Sequence, residues 1–144
     1  METVVKDSDN YRKHFKRKDM PPARLKQLQY ESDTWKRLLA FMMDENVHLK
    51  TRLIEVLKSE AGKIQLTKAE GFHNNFIKED DMISLLRHDV AVFDRLIADG
   101  LHANGIAKNE INNELENIRS HITIVENKFS QLKLEFNNYL LARI

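Results

Sequence analysis

The sequence contains no cysteine. Disulfides, thiolate zinc sites and cysteine nucleophiles are thereby excluded, and the composition is compatible with a reducing cytosol. Glycine and proline are scarce, four and two in 144 residues, so few positions interrupt regular structure. Charge of one sign is not in excess. Lys and Arg number 23 against 22 Asp and Glu, and no global field selects nucleic acid or membrane. No apolar run approaches the roughly 20 residues of a membrane span, and "METVVKDSDNYRKHFKRK" lacks the apolar centre of a signal peptide. A cytoplasmic protein is expected. No Gly-rich phosphate loop, G-x-S-x-G elbow or H-E-x-x-H pattern occurs. Neither a catalytic residue nor a cofactor is expected.

Long helices are what remains. Apolar residues make up 42% and charged residues 31%, a balance suited to a soluble bundle. After a polar segment over residues 1–20, expected to be a flexible tail, Pro21 and Pro22 mark a helix start, with Asp19 or Met20 as its cap. Through about residue 58, apolar residues then recur at spacings of three and four. Leu25, Ser32, Leu39, Asn46 and Leu53 form the a series of a heptad, and Leu28, Trp35, Met42, Leu49 and Val56 form the d series. Ser32, Asp33 and Thr34 could cap a new start, which leaves the continuity of this helix open.

A second helix is expected over 67–99, opened by a Thr67/Glu70 capping box and closed at Gly100. Its seam is Ala69, Phe72, Phe76, Glu79, Ile83, Leu86, Val90, Phe93 and Ile97. A third is expected over 104–143, with Ile111, Leu115, Ile118, Ile122, Val125, Phe129, Leu132, Phe136 and Tyr139 in unbroken 4-3 spacing. Short connections make neighbours antiparallel. The expected fold is all-α: an up-down-up three-helix coiled-coil bundle. Second apolar stripes (Met43, Val47, Ile54 and Leu57; Ile77, Leu85, Val92 and Leu96) widen the sticky faces of the first two helices. They lead to the expectation of a homo-oligomer, a dimer in the simplest case.

Four features bear on function. "ENVH" and "EGFH" both read Glu-x-x-His, the pairing by which helical bundles hold metal ions. The register assigns Glu45 to g and His48 to c, Glu70 to b and His73 to e. The partners do not look inward together, and solvated surface residues with no metal are expected. Asn46 and Glu79 interrupt the apolar seams at similar heights. A hydrogen bond between them is expected to form a structural polar layer that fixes register. Tyr11, Arg12, Lys13, Phe15, Lys16, Arg17 and Lys18, followed by Arg24 and Lys26, interleave cations with rings. That combination suits nucleic acid, an anionic surface or an acidic protein. The second helix is acidic, through Glu79, Asp80, Asp81, Asp89, Asp94 and Asp99. His88, His102 and His121 read as surface histidines, and Trp35 and Phe41 as packing residues. The expected function is a non-enzymatic interaction or scaffold protein that self-associates and has an unknown protein partner. The alternative is a nucleic-acid-associated protein acting through Tyr11 to Lys26.

Overall fold

Proline has no amide hydrogen to lose in a helix's first turn, and the first helix begins on one. The structure, a computed structural model, describes residues 20–59, 66–99 and 105–142. Helix α1 spans Pro22–Ser59, α2 Leu66–Ala98 and α3 Gly105–Leu141. Leu25 N–H donates to the Pro21 carbonyl at 3.1 Å. Pro21 therefore caps α1, and Pro22 takes the first helical position. Met20 is buried and shares a core cluster with Leu25. These are the two positions that staple a helix entrance, so Met20 belongs to the bundle and not to the preceding segment. α1 is continuous through Ser32–Thr34. There the Thr34 hydroxyl donates to the Tyr30 carbonyl within the helix, at 3.0 Å. Leu66, a good helix former, extends α2 upstream, so Thr67 lies inside the first turn and does not cap it. Gly100 lies outside the described residues.

The three helices form an all-α bundle in which α2 packs closely against both neighbours, and α1 and α3 approach each other less closely. The heptad seams face inward as their spacing predicts. Leu28, Leu39, Met42 and Leu53 of α1 are almost fully buried, as are Phe76, Ile83, Val90 and Phe93 of α2 and Ile111, Ile118, Val125 and Phe136 of α3. The core has two parts. The larger runs from Met20 and Ile111 to Met42, Ile83 and Phe129. The smaller consists of Leu53, Ala69, Phe76, Leu132 and Phe136. Asn46 and Glu79 are the buried polar residues at the boundary between them.

The second stripes are only half covered. Met43, Leu57, Val92 and Leu96 are partly buried, whereas Val47, Ile54, Ile77 and Leu85 stay exposed. Phe41, expected to pack, is 58% exposed. It sits at a c position, two residues past the Leu39 seam, where no neighbouring helix reaches it. Trp35 does pack, its ring 5.3 Å from that of Phe93. Among the described residues no helix is long and apolar enough to cross a membrane.

Candidate functional site

Polar contacts between helices recur in two equivalent layers. In the first, the Ser32 hydroxyl donates to Asp94, and Lys36 pairs with the same carboxylate. In the second, Asn46 donates to Asp80 at 2.7 Å, and Lys50 pairs with that carboxylate. Each step along α1, Ser32 to Asn46 and Lys36 to Lys50, is two heptads. The step back along α2, from Asp94 to Asp80, is also two heptads, as antiparallel helices require. α3 follows the same rule in parallel. Arg119 grips Glu31 in a two-pronged pair at 2.6 and 2.8 Å, and Lys133 pairs with Glu45. Both pairs join residues 88 apart in sequence. The layers stand about 21 Å apart at 1.5 Å per residue. Their charged members occupy the e and g positions that set partner choice and orientation in coiled coils, beside Ser32 and Asn46 at a. The ionic members are partly exposed, so each contributes about 1 kcal/mol or less. Their effect is on register and helix order more than on stability.

The Asn46–Glu79 hydrogen bond expected from the sequence is replaced by another pairing. The Asn46 amide donates to the Phe76 carbonyl at 2.9 Å and to Asp80. Phe76 and Asp80 are one helical turn apart on the side of α2 that meets α1. Glu79 is rotated away toward α3. There one carboxylate oxygen, Oε2, is buried without a hydrogen-bond partner, as is the Asn46 carbonyl oxygen Oδ1. Burial pushes the Glu79 carboxyl above the ordinary carboxylate range; nearby Lys128 opposes that push, and Asp80 adds to it.

The Glu-x-x-His pairs do not converge. Glu45 is occupied by Lys133, and His48, Glu70 and His73 are exposed. Among the described residues no group of three or more His, Asp or Glu is placed to hold a metal ion. His88 and His121 are exposed, and His102 lies outside the described residues. Tyr11, Arg12, Lys13, Phe15, Lys16, Arg17 and Lys18 also lie outside them. Arg24 and Lys26 stand in the first two turns of α1, where the Arg24 guanidinium reaches Gln27 at 3.4 Å.

What the structure adds is a groove between α2 and α3. Its walls are the g and c positions of both helices. Three hollows of about 490, 360 and 210 Å³ follow one another along it. They join through the shared residues Asn75 and Glu135, then Met82. Gly71, Phe72 and Tyr139 line the first, Glu79 and Lys128 the second, and Leu85 and Ile124 the third. At the first hollow the Phe72 ring packs on those of Phe136 and Tyr139, 5.2 and 5.0 Å away. A Cβ on Gly71 would meet nothing within 4 Å. Packing within the chain therefore does not require glycine there, although glycine costs a helix interior about 0.5–1 kcal/mol. Leu85 and Ile124 are 66% and 43% exposed on the rim. In contrast, each interhelical ion pair described above has one member on α1.

The charged layers escape a reading of the seams alone. Their signal is a repeat in α1, Glu31-Ser32 with Lys36 and then Glu45-Asn46 with Lys50, at two-heptad spacing. Comparisons with protein-family models, with curated proteins and with solved structures found no match.

Proposed function

We propose that this protein is a non-enzymatic interaction module: a helical bundle that self-associates and acts as a scaffold for a protein partner. The observation that carries this reading is the contrast between the faces of α2. Toward α1 it is tied by the two polar layers. Toward α3 it leaves an open groove, polar along most of its walls, with Leu85 and Ile124 exposed at one end and a buried, unsatisfied carboxylate oxygen on its floor. Docking of further side chains would cover Leu85 and Ile124. Removing apolar surface from water is the main driving force of association, worth about 25 cal/mol per Å². The half-covered stripes of α1 and α2 point the same way, since a helix with one neighbour needs a narrower apolar face.

Sedimentation equilibrium of the whole chain across the micromolar range tests the reading. A species of twice the chain mass, dissociating on dilution, is the expected result. A single species of chain mass throughout would remove self-association from the account.

A further inference from the structure

The α2–α3 groove has the dimensions and the pattern of a surface that fits a second copy of itself, and we infer that two chains associate there about a twofold axis parallel to the helices. This assignment rests on the self-association reading and adds to it the face, the symmetry and the residues that meet.

The length of the groove is the first support. From Lys68 to Asp89 along α2 it runs about 31 Å at 1.5 Å per residue. Two helices side by side, each about 10 Å across, make a strip of about 600 Å² per chain. Two such strips bury about 1,200 Å², the lower bound of a standard stable interface.

Self-complementarity is the second. A twofold axis parallel to the helices preserves height, so α2 of one chain lies against α3 of the other at the level where its own α3 already stands. Leu85 and Ile124 share one hollow and hence one level. Leu85 of each chain therefore meets Ile124 of the other, and both exposed side chains are covered twice over. Gly71 meets Asn138 in the same way, because these two share the first hollow. The open space over Gly71 then admits a side chain from the second copy, which explains a glycine that its own chain does not require.

Charge is the third. Glu79 and Lys128 share the middle hollow. The second copy's lysine at position 128 therefore arrives at the level of Glu79, a residue only 5% exposed whose buried Oε2 has no hydrogen-bond partner within its own chain. A carboxylate on a groove floor disfavours an apolar occupant and accepts one that brings a cation.

The absence of native cysteine permits a clean test. Two single-cysteine chains, L85C and I124C, are prepared separately and co-refolded, then treated with a bismaleimide spanning about 8 Å, comparable to the spacing of packed helices. Circular dichroism verifies that each folds; both substitutions are at exposed sites. The expected result is a covalent dimer in the mixture and only background in either chain alone, because the twofold brings position 85 to 124 and not to itself. A covalent dimer from L85C alone would overturn the symmetry. No covalent dimer from chains that sediment as dimers would overturn the face while leaving self-association intact. Chains that sediment as monomers would overturn both.

Discussion

Replacing Phe76 by alanine lowers the free energy of unfolding by about 3–5 kcal/mol, the cost of a large aromatic removed from a fully buried site. Phe76 has no exposed surface. Its ring meets Phe136 edge-on at 5.1 Å and lies against Phe72 at 6.4 Å. The smaller core cluster has only Leu53, Ala69, Leu132 and Phe136 as its other buried members. Leu49, Leu57, Phe72, Tyr139 and Leu140 are partly buried around it and can relax into part of the void, which keeps the cost within that range. The Phe76 carbonyl also accepts from Asn46, so a shift of this turn loosens the polar layer beside it. Denaturant unfolding gives the stability loss, and hydrogen exchange locates it in the first turns of α2 and the last turns of α3. A loss under about 1 kcal/mol would mean that the aromatic cluster is not packed as described.

In samples dilute enough to keep the chains apart, Glu79→Gln raises stability at neutral pH by about 1–2 kcal/mol, because an amide has a smaller desolvation penalty than an ionised carboxylate whose buried oxygen has no partner in its own chain. The sign follows from linkage. Burial holds the Glu79 carboxyl above the ordinary range, so the folded chain binds this proton more tightly than the unfolded chain does. The penalty is absent below the unfolded value of about 4.3. It grows as pH rises above that value and is complete once pH has passed the raised folded value. The variant and the wild type are therefore close in stability at about pH 3 and diverge as pH rises. Matched denaturant curves over that range measure the divergence. A Gln variant less stable than wild type at pH 7 under these dilute conditions would show that the carboxylate is satisfied within a single chain.

These effects fall on residues that the sequence announces to different degrees. The seams were legible because a period of three and four residues is imposed by helix geometry and holds wherever a helix has one buried face. Thus Leu25 through Val56 and Ile111 through Phe136 point inward, and the turned-apart placement of Glu45, His48, Glu70 and His73 follows from the same phase. The level of the Asn46–Glu79 layer was legible as well. Its partners were not, since which of Glu79 and Asp80 reaches α1 depends on about 100° of rotation between successive residues. Asp94, Lys36 and Arg119 look like ordinary solvated charges until the pairing of helices is known. The groove was hidden for the same reason: g and c residues of two helices form one surface only when α2 and α3 lie side by side. Phe41 shows the reverse error, an aromatic read as packing from its type when its heptad position already faced away.

Polar layers tie α1 to both neighbours, whereas α2 and α3 leave a groove between them. Amide chemical shifts of the uniformly labelled wild-type chain, followed by nuclear magnetic resonance as the sample is diluted, test this most directly. The predicted outcome is that concentration-dependent shifts concentrate along the groove, around Gly71, Glu79, Leu85, Ile124 and Lys128. Shifts gathered instead on the α1 stripe of Val47 and Ile54, or none over a range in which the mass changes, would contradict it.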